Sequence, residues 1–555
     1  MSKKTVQDLP AAEVAPSIEI VKDKQEIDQQ TTIDDRISQD PPYEPESIKI
    51  KGLAILDSTP IADGYSVYSA GQKKVILIAG SFAAFFSPVS SNIYFPALTT
   101  IAKDLRVSLS QISLTVTTYQ VMQGIALMIV AGLSDEIGRR PAYCVCFILY
   151  TAANLGLAPS NSFASLMGLR LLQSAGSSGT IALSVALVGD TCAPAERGFY
   201  MSWATLGDLL GPAISPIAGG LIAQKLNWHW IFWILLLVSV CVFVPLLLFL
   251  PETCRTVVGN GSIPPPILNM SLSDHLRRKS RKEQGAEAEQ RQPQIQRGRS
   301  KLRMPNPWPT LKIASNFESF LVLLTNAFAR ASFYAITTDI SASFHGIYGF
   351  DDIQVSLIFI PIGMGGIASA LVMARLIDWN FRRHERRLSL PSEVRKAQDL
   401  TDFPIEKARL ELGLPLYLAA ACLVIAYGWL LESHVSIAGP IVILFATSFV
   451  LSASMQVLST LMVDLWPGRS GAATAANNFF RCELGAVASA VIQPMVDAMG
   501  RGWAYTTLAL LSAASTPLLA LVIRRGMARR KAALARKDAD RWMKSDVAGL
   551  EEQQI

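Results

Sequence analysis

Twelve long apolar runs, each of roughly 20 residues, constrain the fold of this chain more than any other feature. A helix of that length crosses a hydrocarbon core of about 30 Å, because each residue adds about 1.5 Å. Backbone polar groups find no water in that core, so the runs must be helices or strands of a closed barrel. Barrel strands alternate in character over about ten residues, whereas these runs are continuous. The sequence therefore predicts an all-α polytopic membrane protein.

The predicted spans form two groups of six, separated by a polar stretch. The first group covers about 75–95, 111–132, 141–158, 163–188, 199–223 and 230–250. The second covers about 318–343, 353–377, 412–431, 437–462, 471–496 and 503–523. We therefore predict a disordered cytoplasmic tail (1–71), a six-helix half (72–254), a basic cytoplasmic linker (255–317), a second six-helix half (318–524) and a cytoplasmic tail (525–555).

The distribution of basic residues predicts the orientation. An even number of spans puts both termini on one side, and the side richer in Lys and Arg is the cytoplasm. With the termini inside, the inner loops carry twelve basic residues between Arg255 and Lys312 alone, whereas the outer loops carry only Lys103, Arg106, Lys225 and Arg501. The expected location is the plasma membrane, with the vacuolar membrane left open.

Composition argues against several other functions. Only 17% of residues are charged and the formal net charge is +6, which we interpret as a sign of topology, not of nucleic-acid binding. The seven cysteines show no disulfide or metal-ligand spacing. No nucleotide-binding loop and no convergent His, Cys or acidic cluster is found. We therefore expect neither enzymatic activity nor a metal or cofactor. We expect a monomer in the lipid bilayer, with an ion gradient as the driving force.

The two groups of spans look like duplicates. VGDTCAPAERG (188–198) joins span 4 to span 5, and VDLWPGRSG (463–471) joins span 10 to span 11. Likewise, LSDEIGRR (133–140) follows span 2 and LIDWNFRR (376–383) follows span 8. Internal duplication is typical of transporters, which bind their substrates between the halves near mid-membrane.

Six ionisable residues lie inside predicted spans. They are Arg170, Asp208, Arg330, Asp339, Arg481 and Glu483. Each costs about 2.5–3.5 kcal/mol on insertion scales unless it faces a partner or an aqueous cavity. Their presence predicts a water-accessible passage, and their balanced charges suggest mutual pairing.

Asp208 is the candidate proton-carrying carboxylate, poised by Arg170 or Arg481. The guanidinium of Arg170 keeps its proton, so it can only tune a carboxylate or hold an anion. The alternative is a permanent buried ion pair that fixes helix packing. Glu483 is two residues from Arg481 and points about 200° away from it around the helix.

Several polar and aromatic residues are candidates for lining a substrate cavity. They are Gln120, Gln123, Trp203, Arg330, Asn477, Asn478 and Arg481. Inward Gln and Asn side chains can bind a substrate carbonyl or hydroxyl, but they can equally tie helices together.

The string AGLSDEIGRRP (131–141) resembles the signature loop between spans 2 and 3 of the major facilitator superfamily, G-x-L-x-D-x-x-G-R-R/K. Asp135, Gly138, Arg139 and Arg140 match, while Ala131 departs from the pattern. The resemblance implies the fold of that superfamily and a charged gate at the inner face. The alternative is that the two arginines only anchor the loop in the cytoplasm.

Two further strings resemble motifs of the same superfamily. RLLQSAG (170–176) resembles the span 4 motif R-x-x-Q-G-x-G, whose Arg is tied to proton coupling. GDLLGPAISPIAGG (207–220) resembles the span 5 antiporter motif of exporters. Its matching positions are Gly211, Ser215, Pro216, Gly219 and Gly220. The alternative for this stripe is generic packing of small residues.

Four shorter strings resemble the twelve-span fungal drug:proton antiporters, including quinidine-resistance-type pumps and citrate exporters. They are SSNIYFPAL (90–98), LPETCRTVVGNGS (250–262), DFPIEKARL (402–410) and AANNFFRCELGA (475–486). The resemblance implies proton-coupled export of small organic molecules, such as drugs, secondary metabolites or toxins. Export of di- or tricarboxylates such as citrate is the alternative, and a transporter-like nutrient sensor is a third, less favoured because the tails are short. The strings do not distinguish the substrates.

Overall fold

The computed structural model describes residues 66–192, 200–201, 206–261, 263–266, 269–272, 308–387, 403–466 and 469–531. Across these ranges the chain is helical and contains no β-strand. The predicted tails and most of the predicted linker lie outside these residues. The predicted domain boundaries therefore stay predictions.

Each of the twelve predicted spans overlaps a helix. The helices of the first half are α1 (Ala70–Asn92), α2 (Leu109–Ile137), α3 (Arg139–Leu157), α4 (Phe163–Thr191), α5 (Leu206–Lys225) and α6 (His229–Phe249). Those of the second half are α7 (Phe317–Tyr348), α8 (Phe359–Arg387), α9 (Ile405–Glu432), α10 (Ala438–Leu465), α11 (Ser470–Ala514) and α12 (516–531). Short helical segments accompany them at Phe95–Ala97, Leu98–Asp104, Arg255–Val258, Trp308–Ala314 and Asp352–Leu357.

Nine segments of the described chain are long and apolar enough to cross a membrane. The last of them, Gly471–Lys531, contains both of the final two predicted spans, because α11 continues across a kink at Gly500, where φ is 80°. The helices α3 and α5 complete the two sets of six, although they are not among these nine segments. The predicted all-α membrane fold is confirmed.

Local sequence signals explain where several helices begin. Ser108 caps α2: its hydroxyl accepts from the backbone N–H of Gln111, whose side chain accepts in return from the N–H of Ser108. Asn316 caps α7 by accepting from two backbone N–H groups. Gly138 separates α2 from α3, and its φ of 105° is readily adopted only by glycine.

The helix bundle has a far end and a terminal end. The far end contains the end of α1 and the beginning of α2, and the terminal end contains the beginning of α1 and the end of the described chain. The hairpins of the two halves alternate between these ends. At the far end, the 3-10 segment at Phe95 packs against the second half, where the rings of Phe95 and Phe359 stack 6.2 Å apart. Deeper in the bundle, α2 packs along α11 and α5 packs against α8.

Candidate functional site

The motif loop between α2 and α3 forms a charged cluster at the terminal end. Arg139 Nη1 lies 2.6 Å from Asp135 Oδ1, and its Nε lies 2.8 Å from Asp190 Oδ2 at the end of α4. The side chains of Arg139 and Asp190 are each only 9% exposed, whereas that of Asp135 is 64% exposed. The pair between α3 and α4 is therefore a nearly buried ion pair, and Asp135 adds a solvent-exposed third charge.

Glu252, which follows α6, forms hydrogen bonds with the same loop. Its carboxylate accepts from the backbone N–H groups of Arg139 (2.8 Å) and Arg140 (3.3 Å), the first two residues of α3. Asn269 Nδ2 donates to the same carboxylate at 2.7 Å and to the carbonyl of Ile137 at 2.9 Å. A carboxylate at a helix N-terminus satisfies otherwise unpaired N–H groups and complements the helix dipole. Glu252 therefore holds the beginning of α3 in place.

Three further side chains, all from the segment that follows α6, contact this cluster. The hydroxyl of Thr256 donates to the carbonyl of Asp135 at 2.8 Å, and Arg255 Nε donates to the carbonyl of Asp190 at 3.1 Å. Burial raises the pKa of the Cys254 thiol, so it stays protonated and can donate to the carbonyls of Ser134 and Asp135. The segment that follows α6 thus closes over the motif loop.

The second half contains a counterpart of the ion pair. Arg409 near the beginning of α9 lies 2.9 Å from Asp464 at the end of α10. The duplicated strings align Asp190 with Asp464, and α3 with α9. The duplicated strings LSDEIGRR and LIDWNFRR align the motif arginines with Arg382 and Arg383. In the structure, however, Arg383 lies 3.8 Å from Glu411. The pairing geometry is therefore duplicated even where the arginines come from different sequence positions.

Arg170 lies fully buried inside the first half. Its Nη1 donates to the carbonyl of Ser90 (2.9 Å) and to Gln173 Oε1 (2.8 Å). The rings of Tyr94 and Tyr119 lie 4.4 Å from its guanidinium carbon. Within the part of the chain that is described, its Nε and Nη2 have no hydrogen-bond acceptor.

The predicted mutual pairing of intramembrane charges is not seen for Arg170 or Asp339 among the described side chains. Asp339 is buried and accepts from the hydroxyls of Ser343 (2.6 Å) and Tyr505 (2.9 Å). Arg501 donates to Ser343 at 2.9 Å. The side chain of Asp208 and the whole of Trp203 lie outside the described residues, so their predicted roles remain predictions.

Three of the predicted cavity residues tie helices together. Gln120 donates to Ser489 at 3.1 Å and so joins α2 to α11. Gln123 donates to Ser87 at 3.2 Å and so joins α2 to α1. Asn477 accepts from Asn326 at 2.6 Å, which joins α11 to α7. These contacts match the alternative in which polar side chains fix helix packing.

The other predicted cavity residues keep part of their surface exposed. Arg330, Asn478 and Arg481 are all half-buried. Arg330 Nη2 donates to the hydroxyl of Tyr334 at 3.0 Å, and its guanidinium lies 4.5 Å from the centre of that ring. Glu483 is also half-buried and packs beside Gly124 of α2. These residues of α7 and α11 are the described candidates for contact with a substrate.

The small residues of the antiporter-like motif lie where α5 meets two other helices. A Cβ added at Gly219 would overlap the carbonyl oxygen of Ile93 in the first half, and one at Gly211 would lie 2.7 Å from Pro88 in α1. On another side, a Cβ at Gly220 would overlap the carbonyl oxygen of Asp352 in the second half. The buried Ser215 donates to the carbonyl of Gly211 at 2.7 Å, and Pro216 lies within the helix. The stripe therefore allows α5 to contact both halves closely.

Sequence reasoning missed three residues of the terminal-end cluster as site residues. Asp190, Glu252 and Asn269 all contact the motif loop. Signals for two of them were present: VGDTC places an acid at the end of span 4, and LPETC places one just after span 6. Asn269 lies in the predicted linker and carries no recognisable signal.

Comparison with known proteins agrees with this architecture. The family model described as Major Facilitator Superfamily matches residues 80–490. The MFS-type transporter phiD of Fungal sp. (strain ATCC 74256) is 54% identical over 82% of this chain and 68% of its own length. The MFS-type transporter tstD of Talaromyces stipitatus is 46% identical over 85% of this chain and 86% of its own.

Two more distant relatives have more specific names. Citrate exporter 1 of Aspergillus niger is 31% identical over 82% of this chain and 86% of its own length. The crystal structure of the human organic anion transporter MFSD10 (TETRAN) superposes with a TM-score of 0.50 at 18% identity, covering 80% of this chain and 99% of that one. This last likeness concerns the fold alone. The chain belongs to the major facilitator superfamily and is a multi-pass membrane transporter of the fungal type, not an enzyme.

Proposed function

We propose that this transporter is a proton-coupled exporter of small organic molecules that works by alternating access. The observation that carries the proposal is the position of the small-residue stripe of α5. Gly219 and Gly220 lie against the first and the second half respectively, so α5 is the helix along which the halves move relative to each other. Asp208 lies on the same helix, one turn before Gly211. A proton taken up there would change the charge of the helix on which closure depends.

The terminal-end cluster supports a gate. Arg139, Asp190 and Asp135 join the ends of three helices by charges that can separate and re-form. With both termini in the cytoplasm, as the basic loops favour, this gate lies on the inner face. Gly138 and Arg140 position the loop, because Gly138 allows the turn and Arg140 Nη2 donates to the carbonyl of Leu247 at 2.6 Å. We propose a monomer in the plasma membrane as the working unit.

The proton-coupling role is tested by Asp208→Asn in proteoliposomes that carry an internal pH dye. A lipophilic cationic dye and citrate serve as the two probes. We expect the variant to lose transport driven by the proton gradient while its membrane insertion and size-exclusion profile stay normal. Glu411→Gln, at an exposed carboxylate of the terminal end, is the control and should transport normally. Normal transport by Asp208→Asn would reject proton coupling through this residue.

A second candidate substrate class is carboxylates, because of Arg170. The Nε and Nη2 of this buried guanidinium form the edge that binds carboxylates in a bidentate manner, and no described acceptor occupies it. The relationship to Citrate exporter 1 supports the same class. In the assay above, citrate-dependent proton movement without dye-dependent movement would favour this alternative.

A further inference from the structure

Hydrogen bonds join the two halves at the far end of the bundle. Gln224 at the end of α5 reaches across to the segment that precedes α8. Its Nε2 donates to Asp351 Oδ2 at 2.9 Å, and its Oε1 accepts from the backbone N–H of Ile353 at 2.9 Å. The side-chain amide of Gln224 thus both donates to and accepts from residues of the second half.

A second link lies beside the first. The hydroxyl of Thr100, in the short helix Leu98–Asp104 of the first half, donates to Asp352 Oδ2 at 2.7 Å. The other oxygen of Asp352 lies 3.1 Å from His345 Nε2 at the end of α7, and the Asp352 side chain is 7% exposed. Asp352 therefore joins a helix of the first half to two segments of the second.

A third link lies deeper. The hydroxyl of Thr99 is 3.2 Å from that of Ser341 in α7, and Ser341 also donates to the carbonyl of Pro96 at 3.2 Å. Ser341 is fully buried. Its partner Thr99 is the chain neighbour of Thr100 in the second link, so separation of the halves at these links would expose Ser341.

The carboxylate of Asp351, which accepts from Gln224, is held in place and charged. Asp351 caps the short helix Asp352–Leu357 by accepting from the backbone N–H of Gln354. That hydrogen bond and the one from Gln224 hold the pKa of Asp351 below its usual range, so the carboxylate is charged at physiological pH. A charged acceptor makes the hydrogen bond from Gln224 stronger than a neutral one would.

The ion pairs of the terminal end have a different arrangement. Arg139 pairs with Asp135 and Asp190 inside the first half, and Arg409 pairs with Asp464 inside the second. The hydrogen bonds of the far end, in contrast, cross from one half to the other. The structure therefore corresponds to a state that is closed at the far end.

We propose that Gln224, Thr100, Asp351 and Asp352 form the gate that closes the far end, and that Gln224 must release Asp351 for the opposite-facing state to form. The inference deepens the proposed alternating access, on which it rests. It assigns a role to residues outside the motif loop. Gln224 acts as a positioning residue, since it holds the two halves together through Asp351 and Ile353.

An open depression of about 600 Å³ lies on the first-half side of the gate, and its lining includes Thr100, Gln224, Lys103 and Lys225. A cysteine introduced at Ser341 lies beneath the gate and reports its opening. The test uses Ser341→Cys in a chain whose seven native cysteines are replaced, reconstituted in nanodiscs so that a hydrophilic maleimide reaches both faces.

We expect Gln224→Ala to speed labelling of this reporter about tenfold, because two hydrogen bonds across the gate are lost.

Gln224→Glu makes the labelling rate depend on pH. At pH 8 the introduced carboxylate repels Asp351, and labelling is fast. Repulsion from Asp351 raises the pKa of the introduced carboxyl group above its ordinary value of about 4.3. A growing fraction therefore gains a proton as the pH falls to 5. That protonated group can again donate to Asp351 and accept from Ile353, and labelling slows. Rates are compared with the parent at each pH, since maleimide reactivity itself depends on pH.

Gln111→Ala is the matched control. Gln111 is also a glutamine at the far end, but its side chain bonds to Ser108 of its own helix cap, so labelling should not change. Equal labelling in Gln224→Ala and the parent, or equal acceleration by Gln111→Ala, would overturn the proposal. The measurement needs neither a substrate nor a proton gradient. Its failure is therefore distinct from failure of proton coupling, which the Asp208→Asn assay reports.

Discussion

The guanidinium of Arg139 makes contacts that a lysine cannot reproduce together. Its Nε binds Asp190, while its Nη1 reaches both Asp135 and the hydroxyl of Ser134. A single ammonium group is a point charge without the fixed fork of a guanidinium. The stabilising effect of Arg139 therefore depends on the geometry of its donors as well as on its charge.

We predict that Arg139→Lys lowers stability by about 1–2 kcal/mol, because the nearly buried Asp190 loses its well-aligned partner while a positive charge remains nearby. The midpoint of thermal unfolding in detergent, followed by fluorescence-detected size exclusion, measures the loss. Arg409→Lys removes the matching contact with Asp464 in the other half and should have an effect of the same sign. An unchanged midpoint for Arg139→Lys would show that the charge alone suffices.

Glu252 provides a second prediction for a single side chain. In Glu252→Gln, one carboxylate oxygen becomes an NH2 group that faces other donors, the N–H of Arg140 and the amide of Asn269. We expect a loss of about 1–2 kcal/mol, in the upper part of the range of about 0.5–2 kcal/mol for a lost helix cap, because two donors lose their acceptor. The same thermal assay applies. Glu411→Gln, at a 39% exposed carboxylate, keeps an oxygen acceptor beside His384 and should stay within about 0.5 kcal/mol of the parent.

Single side chains were also the hardest feature to predict from the sequence. The motif residues Asp135, Gly138, Arg139 and Arg140 were recognised because their spacing is distinctive. Their partner Glu252 lies more than a hundred positions away, and only the folded chain brings it to the N-terminus of α3. Sequence patterns specify local geometry but carry little information about which distant segments meet.

At the scale of helices, the close packing of α5 depends on glycines, which carry no side chain at the points of contact. We predict that Gly219→Ala disrupts its contact with the end of α1, because the added methyl group would overlap the carbonyl oxygen of Ile93. Backbone cannot move aside as a flexible side chain can, so we expect a loss of at least about 2 kcal/mol and low transport. Gly168→Ala in α4 is the control, since nothing lies within 4 Å of the position of its Cβ. A normally stable Gly219→Ala would contradict the close packing.

Helix existence was predictable, and helix ends were less so. The apolar runs located each of the twelve long helices in the described part of the chain, because the bilayer requires about 20 apolar residues for each span. However, α8 extends to Arg387, ten residues beyond its predicted end, and α9 begins at Ile405, seven residues early. These extensions are polar and are held by contacts such as that of Asn380 Nδ2 with the carbonyl of Ala408 at 2.6 Å. Hydropathy does not detect helix that continues beyond the apolar core.

At the scale of the whole molecule, the two ends differ in the contacts that the described residues make. Hydrogen bonds of Gln224 and Thr100 cross between the halves at the far end, whereas the ion pairs of Arg139 and Arg409 stay within their own halves. The duplicated strings of the sequence predicted two related halves. They did not predict which end would be closed, because the balance between two states of one sequence amounts to only a few kcal/mol.

This difference leads to a prediction about motion. If the halves rock as rigid bodies, opening the far end must narrow the terminal end. Spin labels at Arg106 and Ser433 report the far end, and labels at Glu136 and Arg469 report the terminal end; all four residues are exposed. Asp208→Asn imitates a protonated carboxyl group. We expect it to lengthen the first distance distribution and shorten the second.

Glu411→Gln serves as the control for charge removal away from α5 and should leave both distributions unchanged. Double electron–electron resonance in nanodiscs measures the two distances under identical conditions. A change at one end only would indicate local movement of a helix instead of rocking. Changes of the same sign at both ends would contradict alternating access as the mechanism, because a passage that opens at both ends at once cannot couple export to a proton gradient.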